Sequence, residues 1–178
     1  MSKGFATFLI VAVAASAHAA VVDRGATGFT VHHTFTIAAP PSRVYAAFAD
    51  IGKWWNPDHS YSHDGARLSL GTTNGGCFCE ALPDGGFVRH LEVAFVQPDK
   101  ELRLTGGLGP LQPIGASGAM TVTFEDASGA TKLNLTYAVS GYLAAGLDTW
   151  ADPVDGVLLE QVQRLKRFVE TGAPAEVP

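Results

Sequence analysis

The chain has 178 residues, 47 % of them hydrophobic, and a formal charge of −5 from 12 Lys and Arg against 17 Asp and Glu. That apolar content excludes disorder over most of the length. A net negative chain without a basic cluster is built for neither nucleic acid nor anionic membrane surfaces. Two cysteines, Cys77 and Cys79, are too few for a disulfide-stapled scaffold, and the length suits one domain with its own core.

The first residues place Lys3 ahead of an uncharged stretch, residues 5–17, that runs into Ala17-His18-Ala19. A positive start, a short apolar run and a small-x-small site have the layout of a secretory signal, with cleavage expected after Ala19. The run is short and Ala-rich compared with the about 20 strongly apolar residues that cross a bilayer. No second such run follows, so no stable membrane insertion is expected after processing. The organisation read from the sequence is a signal peptide over residues 1–19, a lead-in over 20–28, a folded domain over 29–170 and a tail over 171–178. The expected location is periplasmic or secreted.

Residues 29–37 alternate strictly, with Phe29, Val31, His33, Phe35 and Ile37 on one face and three threonines and His32 on the other. That is the pattern of a half-buried strand. Pro40-Pro41 ends it and opens a short helix, on which Val44, Phe48 and Ile51 fall close to one face; Gly52 ends that helix. Trp54-Trp55-Asn56-Pro57 then enters a loop. Strands are predicted over residues 66–70, 77–82, 86–96, 101–105, 117–125 and 131–140, separated by turn signals such as Pro83-Asp84-Gly85-Gly86 and Gln97-Pro98-Asp99. Their hairpin-like spacing predicts an antiparallel meander. The Gly/Pro-rich stretch 106–118 reads as an uncharged loop at the sheet's edge. It lacks both the Lys-Ser/Thr ending of a phosphate loop and the strand-turn-helix setting of a dinucleotide site.

The last element is the clearest. Asp152 is placed to cap, Pro153 to take the first helical position, and Asp155 to favour the free N–H groups of the first turn. Val154, Val157, Leu158, Gln161, Val162, Leu165, Phe168 and Val169 form a continuous stripe, with Gln161 its polar member, and Gly172 and Pro174 end the helix. A helix of about 18 residues is about 27 Å long. That is enough to lie across a curved antiparallel sheet of six to seven strands, enclosing a space that is the natural ligand site. The fold class is α+β.

The run from Ile37 to Asp50, the Trp54-Trp55 pair, Gly75-Gly76-Cys77-Phe78-Cys79-Glu80 ahead of Gly86, the turn after Pro98, residues 129–137 and the long terminal helix occur in an order that resembles the START-like, or SRPBCC, superfamily. Within it the chain is most similar to the branch of Hsp90-ATPase-activator homologues and polyketide cyclases, over residues 29–170. The resemblance implies a helix-grip fold with a deep, mostly apolar cavity. It implies little about chemistry, since such folds serve as carriers, cyclases, oxygenase subunits and chaperone regulators. An exported protein does not fit the chaperone role.

Trp54 and Trp55, being adjacent, point different ways, so one can pack inward while the other lines the cavity; the alternative is that both only close the sheet's end. Tyr137, Tyr142 and Trp150 are further candidates for an aromatic wall. Alternation puts Arg89 in a row with Phe87, Leu91, Val93 and Phe95, where a buried charge needs a carboxylate or a ligand anion. Glu80 on the neighbouring strand is the expected partner, with orientation of a ligand's polar head by Arg89 as the functional alternative. His33 reads as a core histidine or as a base. His59 and His63, even with Cys77 and Cys79, depart from the usual metal-site spacing, so no metal is assigned. Glu80, Arg89 and His33 are the candidates for general acid–base chemistry, which would need no cofactor. Cys77 and Cys79 are expected as free thiols packed on the sheet, because residues i and i+2 of a strand stand too far apart; a strained disulfide is the alternative. The expected function is binding of a small hydrophobic or aromatic molecule. A cofactor-free cyclase or dehydratase and a ligand-free interaction module are the alternatives.

Overall fold

The computed structural model describes residues 18–175. The expected signal peptide therefore lies outside the described residues except for His18 and Ala19. Eight strands form one antiparallel sheet: β1 (His18–Gly25), β2 (Gly28–Ile37), β3 (Leu68–Leu70), β4 (Cys77–Ala81), β5 (Phe87–Gln97), β6 (Glu101–Gly106), β7 (Ser117–Ala127) and β8 (Ala130–Ser140). Their order across the sheet is β1-β2-β8-β7-β6-β5-β4-β3. Two helices, α1 (Pro41–Ala49) and α2 (Ala151–Thr171), complete the helix-grip architecture. The segment expected only to lead in is itself an edge strand, paired with β2 from His18 to Gly25.

The strand β2 buries Phe29, Val31, His33, Phe35 and Ile37, as its alternation requires. It lies against β8, where Leu133, Leu135, Tyr137 and Val139 face the same side. The helix α2 crosses that side and buries Leu158, Gln161, Val162, Leu165 and Val169. The two apolar surfaces remove each other from water, which drives the pairing. The shorter α1 closes the flank, with Tyr45 and Phe48 edge-on to Phe124 at 5.4 and 5.8 Å between ring centres. Register breaks in β1/β2, β4/β5 and β5/β6 each add a residue to one strand, which bends the sheet and increases its twist.

The start of α2 departs from expectation. A 3-10 turn, Asp148–Trp150, runs directly into the helix, so Trp150 at the cap position already has near-helical angles (φ −90°, ψ −12°). Without an extended residue there, no side chain caps the first turn. Asp152 is helical instead and forms a two-pronged pair with Arg24 of β1, at 2.6 and 3.0 Å. At the other end Gly172 takes the left-handed conformation (φ 84°) and donates its N–H to the Phe168 carbonyl, the expected stop.

Asp155 turns inward. Its Oδ1 lies 3.3 Å from His33 Nε2, and the histidine side chain has no exposed surface. Burial holds the His33 imidazole below its ordinary 6.5, against the opposing pull of the Asp155 charge. The structure thus places His33 between sheet and helix as a neutral core residue.

Two predictions follow from this packing. Leu165 is fully buried at the centre of the grip, so Leu165→Asp should cost several kcal/mol, a large share of the roughly 5–15 kcal/mol that holds a domain together. Urea unfolding should show loss of the cooperative transition or a strongly lowered midpoint; an unchanged midpoint would refute the packing. For His33 the folded state binds protons less readily than the unfolded chain. Its contribution to stability is present above the ordinary value and lost as pH falls toward the depressed one. The urea midpoint should therefore fall between about pH 7.5 and about pH 5, and fall less in His33→Leu.

Candidate functional site

A cavity of about 370 Å³ opens between the first turns of α2 and the ends of the central strands. Trp150, Pro153, Val154 and Val157 line it from the helix side. Trp55 and the segment through Tyr61 form a second wall, Leu108 through Leu111 a third, and His90 of β5 contributes from the sheet. The lining is mostly apolar and aromatic, the character expected of a small-molecule site.

Each wall is pinned by polar groups. The Pro57–His59 turn is capped by the Asn56 side chain, which accepts from the Asp58 N–H. Asn56 also ties the segment to α2: its N–H donates to Gln161 Oε1 at 2.7 Å and its amide to Glu160 Oε1 at 2.6 Å. His59 Nε2 meets Glu160 Oε2 at 2.9 Å, and Trp55 donates its indole N–H to the His59 carbonyl at 3.1 Å. The third wall hangs on Tyr137. Its hydroxyl accepts from the Leu108 N–H at 3.0 Å and donates to the Gly106 carbonyl at 2.8 Å, and burial pushes its pKa up to about 12. Gly118 makes room for that ring, since a Cβ there would stand 2.7 Å from Tyr137 Cε2.

Glu80 and His90 form the chemical centre of this end. The Glu80 side chain has no exposed surface, and its Oε2 lies 3.0 Å from His90 Nε2. Its carboxylate also accepts the backbone N–H groups of Tyr61 and Ser62. Burial alone would raise the Glu80 carboxyl, but the hydrogen bonds from Ser62, Tyr61 and His90 outweigh it and hold the group below its ordinary 4.5. Burial likewise holds the His90 imidazole below 6.5 despite Glu80. At neutral pH the pair is a carboxylate beside a neutral imidazole. A carboxylate only accepts, so the imidazole proton is assigned to Nε2 and the lone pair to Nδ1. Among the described residues His90 Nδ1 has no partner. Tyr61 stacks on the imidazole at 6.0 Å, and Phe78 packs tilted against it at 4.7 Å.

The candidates from the sequence separate. Trp55 and Trp150 line the cavity. Trp54 packs into the core against Phe48 at 5.5 Å and donates to the Ala47 carbonyl; Tyr137 braces a wall from behind. Tyr142 is 83 % exposed. His33 stands with Asp155 outside the lining. Arg89 needs correcting: its side chain is 53 % exposed and pairs with Glu92, not Glu80. The reason is a bulge. Phe78 lies opposite Leu91 and Cys79 opposite Arg89, leaving His90 as the extra residue on β5. His90 and Leu91 are consequently both buried, and everything before them changes face.

The cysteines need the same correction. Cys77 and Cys79 are joined by a disulfide, with their Cα atoms 5.4 Å apart. An ideal extended strand would set them at about 6.6 Å; the shorter spacing found here lies within the range that a disulfide spans. The Gly/Pro-rich loop joins β6 to β7 in the middle of the sheet rather than at its edge and supplies one cavity wall. His59 is engaged by Glu160, and among the described residues no group of three His, Cys, Asp or Glu stands arranged for a metal ion. Alternation put His90 on the face opposite Arg89, the reverse of what the bulge produces, and Tyr61, Leu108 and Leu111 were not site candidates from the sequence. Two leucines in an uncharged Gly/Pro loop were the available signal for the third wall.

Comparison with known proteins agrees with this architecture. No curated protein matches the chain in sequence. Among solved structures, CalU16 from Micromonospora echinospora superposes with a TM-score of 0.59 at 13 % identity, covering 90 % of this chain and 87 % of its own. A conserved protein of unknown function from Enterococcus faecalis, EF2215, gives 0.58 at 16 %, covering 91 % and 82 %. DynU16, from the dynemicin biosynthetic locus, gives 0.55 at 25 % identity over 83 % of this chain; this chain spans about half of DynU16, 49 %. The first two likenesses show the fold alone. The model of the family described as Activator of Hsp90 ATPase homolog 1-like protein matches residues 38–170, and with the helix-grip fold this places the chain in that family, within the SRPBCC/START-like superfamily.

Proposed function

We propose that this protein binds a small, largely hydrophobic or aromatic molecule in the cavity between the sheet and α2, and does so outside the cytoplasm. The observation that carries the reading is the cavity itself, about 370 Å³ and walled by Trp55, Trp150, Leu108, Leu111 and Val157. Volumes of about 300–1,000 Å³ with an apolar lining and few polar groups are typical of ligand pockets. An interaction module would fill this space with its own side chains. The similarity to a protein of the dynemicin biosynthetic locus supports a small-molecule role. Export rests on the signal-like start, and among the described residues no helix is long and apolar enough to cross a membrane.

Native mass spectrometry of freshly purified protein should show a bound small molecule, and adding the extracted compound back should quench tryptophan fluorescence through Trp55 and Trp150. Val157→Trp, which fills the cavity from the helix side, should abolish both signals while leaving the unfolding midpoint nearly unchanged. An empty protein that no apolar compound quenches would overturn the reading. For export, N-terminal sequencing of protein from the extracytoplasmic fraction should start at Ala20. Recovery only from cytoplasm with Met1 intact would refute it.

A further inference from the structure

The Cys77–Cys79 disulfide lies on the outer face of the sheet, outside the cavity lining. Phe78 and Glu80 are buried on the inner face of β4, and the two cysteines alternate with them, each partly exposed. Hydrogen-bonded neighbours cover their backbone on both sides. Cys79 pairs with Ser69 of β3 and Arg89 of β5; Cys77 pairs with Glu92, and its carbonyl accepts from the Gly71 N–H at 3.0 Å. The area left to solvent is therefore side chain, Cβ and Sγ. The same two ladders favour an extended β4, in which residues i and i+2 stand about 6.6 Å apart, whereas the bond draws these Cα atoms to 5.4 Å. Opening it lets the strand return to the spacing its neighbours support. A disulfide whose reduced form is the better supported is an oxidant. We propose that Cys77–Cys79 is a thiol–disulfide exchange site that passes its disulfide to a dithiol substrate. The proposal is independent of what the cavity binds.

The surroundings give the exchange a direction. The bond joins two residues on one face of one strand, so it lies along the strand, and a thiolate attacks a disulfide roughly in line with it. In-line approach to Cys77 passes over Gly75 and Gly76, which carry no side chain. Gly75 is exposed, and a Cβ built on it would meet nothing within 4 Å. Approach to Cys79 would pass over Ala81 and the Phe87 opposite it. Charge points the same way. Residues directly opposite across two strands have Cβ atoms about 5 Å apart, which sets Arg89 beside Cys79, where a guanidinium supports the departing thiolate. Glu92 stands opposite Cys77 and pairs with Arg89, holding the cation on this face. The carboxylate makes Cys77 the poorer leaving sulfur.

In the first step a substrate thiolate attacks Cys77 Sγ. The Cys77–Cys79 bond breaks, its electron pair leaves on Cys79, and a Cys77–substrate disulfide forms. The substrate's second thiolate then attacks the substrate sulfur of that mixed disulfide, closing the substrate disulfide and releasing Cys77 as thiolate. The two protons of the substrate thiols end on Cys77 and Cys79; the substrate loses two electrons and the protein gains them.

The test uses the whole oxidised protein with two probes at equal thiol concentration, a synthetic peptide carrying two cysteines and dihydrolipoate. Transfer is followed by alkylation and intact mass. The expected result is oxidation of a dithiol at least about ten-fold faster than by glutathione disulfide, with one protein disulfide consumed for each substrate disulfide formed. Faster transfer to the peptide identifies a polypeptide substrate, and faster transfer to dihydrolipoate a small dithiol. A rate no greater than that of glutathione disulfide with both probes overturns the proposal. When reduced glutathione is the only thiol and the reaction is trapped early by alkylation, glutathione should sit on Cys77 and the alkyl group on Cys79; the opposite distribution overturns the direction of attack. Arg89→Gln should slow transfer about five-fold, and Arg89→Lys should restore most of it, with the urea midpoint unchanged in both. Reduction of the unaltered protein should leave its urea midpoint unchanged or raise it. A midpoint lowered by reduction marks a bond that holds the fold together and overturns the proposal. Neither that readout nor the exchange rates of the unaltered protein depend on a variant folding.

Discussion

A carboxylate sealed from solvent has to be surrounded by donors, and at the open end of this protein the arrangement of chain follows from satisfying Glu80. Its two oxygens collect the N–H groups of Tyr61 and Ser62 and the imidazole of His90. Those three donors come from a loop and from a bulged neighbouring strand. Meeting one charge therefore brings residues 57–62 across the sheet, turns His90 inward and lays the Tyr61 ring over the imidazole. Removing the charge while keeping the burial would leave the backbone donors without strong acceptors, a cost comparable to losing several hydrogen bonds. The loop's other fastenings, through Asn56 and His59 to Glu160 and Gln161, tie the same segment to α2. Sheet, loop and helix thus share one hydrogen-bonded frame around the cavity.

The remaining walls depend on aromatic packing and on room for it. Phe48, Trp54, Trp55, Phe78 and His90 form a continuous series of ring contacts running from α1 to the cavity. Trp54 anchors the core end and Trp55 stands on the cavity wall, so the adjacent tryptophans divide between core and cavity. Tyr137 performs the corresponding task across the cavity. Its ring occupies space left by Gly118, and its hydroxyl holds both ends of the turn that leads to Leu108.

Much of the fold was legible because its largest elements keep strict periods. The alternation of β2 and the stripe of α2 translate directly into their buried faces, and the hairpin spacing of residues 66–140 into six consecutive antiparallel strands. What failed was parity. Alternation assigns faces only while each strand advances one residue for each residue of its partner, and a bulge resets the count without any marker in composition. On β5 that reset exchanged the fates of Arg89 and His90, sending the expected buried cation to the surface and a neighbouring imidazole to the site. The physical clue was available: Glu80 was placed on the buried face with Phe78, and a neutral histidine is a far cheaper buried partner for a carboxylate than a guanidinium. The distance estimate for Cys77 and Cys79 assumed a fully extended β4, and the strand is more contracted there. The cavity walls made by loops were less legible still, since no period constrains residues 106–118, and β1 was missed for want of a clear alternation.

The Cys77–Cys79 bond has a consequence that follows from its position. A covalent link between residues two apart closes a very small ring, so it removes little freedom from the unfolded chain compared with a bridge across a long loop. Its influence is therefore geometric rather than global: it fixes the pleat of β4 at the residue it encloses, Phe78, which packs on Trp55 at 5.0 Å and on His90 at 4.7 Å. The bond acts as a clamp behind the cavity wall, holding the curvature of a single strand at the point where shape, rather than folding, is at stake.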